Sequence, residues 1–223
     1  MSESSTTQNL LDGTRLELLL AAEKLFALHG LLGVSLRQIV AATAQRNVST
    51  IHYHFGSREG LVHAICDYRM PAIESARAEH IARYIEKPPK RARRVTELMH
   101  ILIVPTAQPI VASRGRSHFR RLLAHSFVSD VVDLHAFIGG RYDLGIAQTA
   151  DLLRMELPHL PRATFNLRWT LLIRSMTYLL ANLEARVERL PWRKGERLLD
   201  NEIGEMAVAF AGFFAVADKR KDS

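Results

Sequence analysis

Apolar residues recur at intervals of three and four along almost the whole chain, and the alternation typical of a half-buried β-strand is hard to find. Such spacing gives one continuous apolar face only when the segment is helical. The sequence therefore predicts an all-α protein. A chain of 223 residues can bury a core without a disulfide or a structural metal. Cys66 is the only cysteine, which excludes an internal disulfide and favours a reducing compartment.

The N-terminal residues and the apolar runs of the chain argue against secretion and membrane insertion. Residues 1–9 are polar and lack the basic and apolar regions of a signal peptide. The longest uncharged apolar runs, 101–112 and 206–217, are shorter than the ~20 residues that cross a bilayer. We therefore expect a cytoplasmic protein with no membrane partner.

The net charge of +7 does not by itself identify a nucleic-acid binder. Residues 1–63 carry five basic and five acidic side chains, so the excess lies further along the chain. The densest basic cluster, in residues 87–94, surrounds two prolines and is typical of a solvated loop that opens a helix.

Cap signals near the N-terminus predict a helix over residues 14–29. Thr14 with Glu17 three residues later has the spacing of a capping box, and Gly30 is a typical stop signal. This helix presents its apolar residues on one face and is expected to support the segments that follow.

Two short helices are predicted next. Ser35 and Gln38 repeat the capping-box spacing for a helix that ends near Ala44. Asn47 is a favourable cap for another helix over residues 48–55. Three short helices, with the second and third joined by a tight turn, are the layout of a helix-turn-helix.

A longer helix is predicted to begin after Gly56, with Ser57 as its cap. Pro71 is expected to kink or split this helix before it resumes toward Ile85. Medium-length helices are predicted between residues 91 and 156, with interruptions at Pro105, Pro109, Gly115 and Gly139-Gly140. Asp130 and Asp133 suit the first turn of a helix better than an acid–base pair.

The last two predicted helices, 163–189 and 196–217, are separated by Pro191. The final helix has large apolar residues on one face and small residues on another, so it needs two partners. We expect the second partner to be another copy of the chain. The predicted interface residues are Trp169, Met176, Gly204, Val208, Ala211, Gly212 and Ala215.

The helix over residues 48–55 is predicted to carry a DNA-facing surface. Val48, Ile51 and Phe55 share one side, which we expect to pack on the preceding helices. The outer face is rich in hydrogen-bonding groups and has no acid, which suits base edges and phosphates. The candidate DNA-binding residues are Arg37, Gln38, Arg46, Asn47, Ser49, Thr50, His52, Tyr53, His54 and Arg58.

Three stretches resemble the DNA-binding signature of the tetracycline-repressor (TetR) family of bacterial regulators: Gly30-Leu31-Leu32-Gly33-Val34-Ser35-Leu36-Arg37-Gln38-Ile39, Asn47-Val48-Ser49-Thr50-Ile51-His52-Tyr53-His54-Phe55 and Gly56-Ser57-Arg58-Glu59-Gly60-Leu61. The resemblance covers about residues 13–66. It implies that Tyr53 and His54 face the groove, that Phe55 is buried, and that Arg58 binds a phosphate. His52 occupies a position where the family frequently has tyrosine.

One departure from the family pattern affects the second predicted helix. The usual Ala-Gly-Val turn is replaced by Ala44-Gln45-Arg46-Asn47, with one extra residue between Ile39 and Phe55. The register of contacts from that helix is therefore open, and Arg37 and Gln38 could exchange roles.

The resemblance implies a helix-turn-helix domain over residues 10–57 and a larger helical domain over 58–220. In the family the second domain binds a small molecule and dimerises through its last two long helices. The implied function is a repressor in bacterial cytoplasm, associated with the nucleoid, that a small molecule releases from a near-palindromic operator. The candidate ligand-binding residues are His118, Phe119, Leu122, Trp169, Ile173 and Met176.

Other interpretations of single residues favour structural roles. His52 and His54 are two apart, so they diverge on a helix and cannot chelate one metal together. Cys66 suits a buried small apolar group better than a redox sensor. We expect no metal and no cofactor.

The alternative function is an all-α enzyme or small-molecule carrier whose first helices only support a bundle. No phosphate-binding Gly-rich loop, nucleophile elbow or metal-ligand spacing favours the enzyme. The polar set Ser49, Thr50, Tyr53 and His54 favours the DNA-binding regulator, because a structural bundle has no need of it.

Overall fold

A computed structural model describes residues 3–126 and 134–216, which contain ten α-helices and no β-strand. The all-α prediction is confirmed for these residues. The helices are α1 (Glu3–His29), α2 (Leu36–Ala41), α3 (Ser49–Phe55), α4 (Arg58–Glu86), α5 (Arg94–Ala112), α6 (Phe119–Ser126), α7 (Leu134–Gly139), α8 (Leu144–Glu156), α9 (Arg162–Glu188) and α10 (Trp192–Ala215). Asp130 and Asp133 lie outside the described residues.

The chain forms two compact units. The first comprises Met1–Arg69 and His118–Ile138, and the second comprises Met70–Ser117 and Gly139–Ser223. Helix α4 begins in the first unit and continues in the second. The domain boundary between residues 57 and 58 remains a prediction, and residues 217–220 of the second predicted domain lie outside the described part.

The first unit has an apolar core to which its helices contribute. Its fully buried side chains include Leu18, Leu19, Phe26, Ile39, Ile51, Leu61, Ile65, Phe119 and Leu122. Cys66 is buried as predicted, and that burial raises the pKa of its thiol to about 12. The thiol is therefore un-ionised at neutral pH and a poor nucleophile.

A buried carboxylate joins three parts of the first unit. The Glu23 carboxylate on α1 accepts hydrogen bonds from Arg69 Nε at 2.8 Å and Arg69 Nη2 at 3.0 Å. Its Oε1 also accepts from the backbone N–H of His118 at 3.0 Å. The carboxylate thus connects α1 to α4 and to the residue that precedes α6.

The predicted start of the first helix at Thr14 is wrong, because α1 begins at Glu3 and Thr14 lies inside it. The expected partner in the capping box, Glu17, is engaged elsewhere. Its Oε1 accepts from the backbone N–H of Ala44 at 2.7 Å. The end of the helix is as predicted, with Gly30 at a φ of 75° after His29.

The capping box of the second helix is confirmed. The Gln38 backbone N–H donates to Ser35 Oγ at 3.2 Å, and the Ser35 N–H donates to Gln38 Oε1 at 2.7 Å. The helix ends at Ala41 rather than near Ala44. The Thr43 hydroxyl donates to the Val40 carbonyl at 2.8 Å, which satisfies one carbonyl of the last turn without a further helical residue.

Helix α4 begins as predicted, since the Gly60 N–H donates to Ser57 Oγ at 3.0 Å. It is not split at Pro71, because the helix continues through this residue to Glu86. Helix α5 likewise contains Pro105 and Pro109, so the predicted interruptions there are wrong. A proline inside a helix costs about 3 kcal/mol, and extensive burial of α5 in the core of the second unit offsets this.

The segment Arg91–Ala112 is long and apolar enough to cross a bilayer by length and composition. More than half of the apolar part of this segment is buried within the folded chain, where α5 packs on α8, α9 and α10. This is the environment of a core helix.

The last two helices agree with the prediction except at one start. Helix α9 spans Arg162–Glu188, close to the predicted range, but α10 begins at Trp192 rather than Glu196. The Pro191 carbonyl accepts from the N–H groups of Lys194 and Gly195, so the proline opens α10 as well as ending the preceding segment. The predicted end at Ala217 lies outside the described residues.

Gly145 near the start of α8 packs closely on a buried ion pair in the second unit. Arg77 is fully buried and donates to Glu74, and its Nη2 donates to Thr106 Oγ1 at 2.8 Å. Burial lowers the pKa of Arg77. A Cβ at Gly145 would lie 2.9 Å from Arg77 Cδ and 2.9 Å from Glu74 Oε2.

Gly145→Ala is expected to lower the free energy of unfolding by about 1–3 kcal/mol, because the buried arginine cannot move without losing its partners. Urea denaturation measures this. Gly13→Ala is the control, since a Cβ there meets nothing within 4 Å and alanine favours the helix. Equal midpoints for Gly145→Ala and the wild type would show that the pair can shift freely.

Candidate nucleic-acid interface

The outer face of α3 presents polar side chains to solvent. Tyr53 is 76% exposed and Ser49 is also exposed, while Thr50 and His54 are half-buried. The rings of Tyr53 and His54 meet edge to face with centroids 5.0 Å apart. These four predicted side chains therefore lie on one short helix with their hydrogen-bonding groups accessible.

The inner face of α3 anchors it to the first unit. Ile51 is fully buried, whereas Val48 and Phe55 are half-buried rather than enclosed as expected. The Arg15 guanidinium lies over the Phe55 ring, 5.4 Å from its centroid. One deeply buried residue and this cation–π contact thus orient the helix.

Local contacts fix both ends of α3. The predicted cap at Asn47 is wrong, because the helix begins one residue later and Val48 occupies the cap position without a side-chain cap bond. Asn47 Oδ1 still accepts from the Ser49 N–H at 2.9 Å, which holds the chain just before the helix. At the other end Gly56 has a φ of 73°, a left-handed conformation that favours glycine. His52 Nδ1 lies 2.9 Å from the Gly56 carbonyl oxygen, which turns that ring toward the end of the helix.

The surroundings of His54 favour the neutral form of its imidazole. Partial burial lowers the pKa of His54, and the nearby Arg15 guanidinium lowers it further. A neutral imidazole offers one donor and one acceptor, so His54 can pair with either kind of group on a base edge.

An open cleft of about 540 Å³ lies beside the start of α3. It is lined by Arg37, Val40, Ala41, Gln45, Arg46, Asn47 and Val48. Both arginines are exposed. Two guanidinium groups around a concave surface at the turn between α2 and α3 can hold an anion such as a phosphate.

The structure shows which of the two α2 side chains, Arg37 or Gln38, is available to contact DNA. The side-chain oxygen of Gln38 is used in the capping box with Ser35, whereas Arg37 is exposed and lines the cleft. Of the two, Arg37 is thus better placed to contact an anion at the cleft.

Sequence reasoning missed the role of Glu17 at this surface. Besides the bond to Ala44, Glu17 Oε2 lies 3.5 Å from Gln45 Nε2, so one carboxylate on α1 holds the turn between α2 and α3. The partners are 27 and 28 residues apart, and the capping-box spacing of Glu17 pointed to a different role.

Arg58 departs from the expected outward orientation. Its Nη1 donates to the carbonyl oxygens of Leu31 at 2.6 Å and Val34 at 2.5 Å. Its guanidinium also lies over the ring of buried Phe26, 5.9 Å from the centroid. The half-buried side chain is thus directed at the α1–α2 turn.

The six candidate ligand-binding residues are not brought together within either compact unit. His118, Phe119 and Leu122 are buried in the first unit, and Trp169, Ile173 and Met176 belong to the second. Trp169 and Ile173 are partly buried against the core of the second unit. The ligand site remains a prediction.

The predicted interface residues differ in how much of their surface is exposed to a partner. Val208 is 61% exposed, Gly212 and Ala215 are exposed, and Gly204, Ala211 and Trp169 are partly buried. Met176 is buried in the core of the single chain and so offers almost no surface. Sequence reasoning missed exposed apolar residues on α9 and α10, which include Leu167, Leu171, Tyr178 and Phe213.

No metal-binding cluster of three or more His, Cys, Asp or Glu residues occurs in residues 3–126 and 134–216. The positions of His52 and His54 on α3, two residues apart, agree with separate roles for the two rings.

Two family models match the chain. The model of bacterial regulatory proteins of the tetR family matches residues 18–65, which include α2 and α3. The model of the tetracyclin repressor-like C-terminal domain matches residues 102–212. No curated protein matches the chain. The helix-turn-helix and both matches show that the chain belongs to the tetR family of bacterial regulatory proteins and is a DNA-binding transcriptional regulator.

Proposed function

We propose that the protein is a homodimeric repressor of bacterial cytoplasm, associated with the nucleoid. In this proposal the helix-turn-helix binds a near-palindromic operator, and a small molecule bound in the C-terminal helical domain releases it. The observation that carries the proposal is the exposed polar face of α3, held at both ends by local contacts.

The face of α3 suits direct reading of bases. The accessible side chains of Ser49, Thr50, Tyr53 and His54 offer donors, acceptors and an aromatic ring, with no acid to repel phosphates. A helix presented in this way can enter the major groove, where each base pair has its own pattern of donors and acceptors. Arg37 and Arg46 at the neighbouring cleft would bind phosphates and set the register.

The exposed apolar surface of α9 and α10 supports the dimer. Tyr178 is 69% exposed and Val208 is 61% exposed, with further apolar side chains on the same two helices. Exposed apolar side chains on two helices that pack together suit a protein–protein interface. A two-fold dimer would place two α3 helices about 34 Å apart, one turn of DNA.

Release by a small molecule requires that the molecule bind the DNA-free arrangement of the dimer more tightly than the DNA-bound one. A different spacing of the two α3 helices would be sufficient, because both half-sites must be engaged together. The partly buried Trp169 and Ile173 are the candidate contacts with some accessible surface in the second unit.

The proposal is tested by retention of random genomic fragments on the purified protein at two salt concentrations, followed by sequencing. A shared near-palindromic site that survives the higher salt would support the repressor, because base contacts persist when phosphate attraction is screened. Fragments without a common sequence, lost at higher salt, would show that only the net charge binds DNA.

Tyr53→Ala is expected to weaken operator binding by about 1–3 kcal/mol, because it removes a groove-facing side chain without touching the core. Its midpoint of thermal unfolding should stay unchanged, since Tyr53 is 76% exposed. Fluorescence anisotropy with the operator and thermal unfolding measure the two quantities.

Tyr68→Ala is the control for this substitution. Tyr68 is an exposed tyrosine of the same unit, but it lies on α4. Operator binding should be unaffected in this variant. An equal loss of affinity in both variants, or a large loss of stability in Tyr53→Ala, would remove Tyr53 from the recognition surface.

A further inference from the structure

Arg58 is the first residue of α4, and the family resemblance assigns it to a phosphate. Its Nη1 instead donates to two carbonyl oxygens of the α1–α2 turn, Leu31 at 2.6 Å and Val34 at 2.5 Å. Both N–H groups of this nitrogen are therefore committed inside the protein.

The two carbonyls need the guanidinium. The side chains of Leu31 and Val34 are buried, at 2% and 1% exposure, which keeps the turn against the core. No backbone N–H in the described ranges donates to either carbonyl oxygen. Partly buried carbonyls without a donor are costly, so Arg58 completes the hydrogen bonding of this turn.

These two bonds connect the start of α2 to the start of α4, which follows α3. Val34 directly precedes Ser35, the cap of α2, and Arg58 follows the end of α3 by three residues. One side chain therefore fixes the start of α2 relative to the junction between α3 and α4. The Phe26 ring beneath the guanidinium restricts the side chain further.

We propose that Arg58 is a positioning residue that aligns α2 and α3 for DNA by binding the α1–α2 turn, and that it does not contact a phosphate. This inference rests on the proposed function. Arginine suits this role because its planar guanidinium lies over the Phe26 ring while Nη1 reaches both carbonyls. A lysine nitrogen would lie one atom closer to the backbone, on a flexible stem and without the planar group.

The test compares Arg58→Gln and Arg58→Lys with the wild type, at a temperature where circular dichroism shows each variant to be folded. Both variants should melt at a lower temperature. Both should bind the operator about tenfold more weakly, comparable to the loss of one base contact, while their affinity for non-specific DNA is unchanged. The slope of log affinity against log salt should stay at its wild-type value, because no phosphate contact is lost.

Arg46→Gln is the matched control. Arg46 is exposed at the cleft, so this variant should melt like the wild type and should reduce the salt slope by about 1. The comparison separates an arginine that binds phosphate from an arginine that binds the protein.

Three results would overturn the inference. The first is a salt slope reduced by about 1 in Arg58→Gln and restored in Arg58→Lys, which would indicate a phosphate contact. The second is full operator affinity in the folded variants, which would leave Arg58 a stabilising role alone. The third is an unchanged melting temperature. If the wild type binds no specific DNA, the proposed function fails, and the melting temperatures still decide whether Arg58 holds the turn.

Discussion

Val208→Glu is expected to convert the protein from a dimer into a monomer and to weaken operator binding by about a hundredfold or more. Val208 is 61% exposed on α10, within the apolar surface proposed as the interface. In a two-fold interface one substitution is present twice, and a buried carboxylate without a partner costs several kcal/mol. A monomer also loses the gain of binding two half-sites together, which is about 10²–10⁴ in affinity.

Sedimentation velocity and fluorescence anisotropy with the full operator measure these two effects. Ile85→Glu is the matched control, since Ile85 is an apolar β-branched residue, 63% exposed, that lies on α4. This variant should stay dimeric and bind normally. A Val208→Glu protein that remains a dimer at micromolar concentration would place the interface on another surface.

Glu23→Ala is expected to lower the free energy of unfolding by about 3–5 kcal/mol. Its carboxylate is 2% exposed and pairs with Arg69, whose side chain is 15% exposed, through two hydrogen bonds. The substitution leaves an almost buried guanidinium without its partner and the His118 N–H without its acceptor. Three segments of the first unit thus lose their common contact.

Urea denaturation checks this value. Glu202→Ala removes an ion pair of similar type, Arg186 to Glu202 at 2.5 Å, but both side chains are far more exposed. That control should change stability by less than about 1 kcal/mol. Glu23→Gln should fall between the two, because its amide oxygen still accepts from His118. A loss of less than 1 kcal/mol in Glu23→Ala would mean that water reaches Arg69 in the folded protein.

Local signals predicted much of the fold because their partners are close in sequence. The Ser35 and Gln38 capping box and the Gly56 stop both involve contacts within about one helical turn. The same spacing at Thr14 and Glu17 gave a false start, since Glu17 binds an amide 27 residues away. A pattern of three residues cannot exclude such a competing partner.

Tertiary burial explains why Pro105 and Pro109 lie inside a helix, although the sequence predicted that helices end there. Pro105 and Pro109 each remove a backbone donor, and the local rule therefore predicts a break. Helix α5 continues because its apolar residues are enclosed by α8, α9 and α10, while the Thr106 hydroxyl donates to the Leu102 carbonyl at 2.6 Å. The gain from this packing depends on residues far along the chain.

The residues of the candidate interface were predicted one by one, but the directions of their side chains were not. Helical spacing correctly put Ser49 and Tyr53 outside and Ile51 inside. It could not show that Gln38 is engaged in a cap or that Arg58 turns inward, because both depend on side-chain conformation. The apolar surface of α9 was missed because an outward leucine has the same spacing as an inward one.

The separation of α3 into a buried anchor and an exposed face has a consequence for the evolution of this regulator. Ile51, the bond from the Ser49 N–H to Asn47 and the Gly56 turn hold the helix, while the side chains of Ser49 and Tyr53 contribute little to folding. Exposed positions of this kind tolerate substitution within about 0.5 kcal/mol of stability. After a gene duplication, one copy can therefore acquire a new target sequence through a few changes on this face, with no compensating mutation elsewhere in the chain.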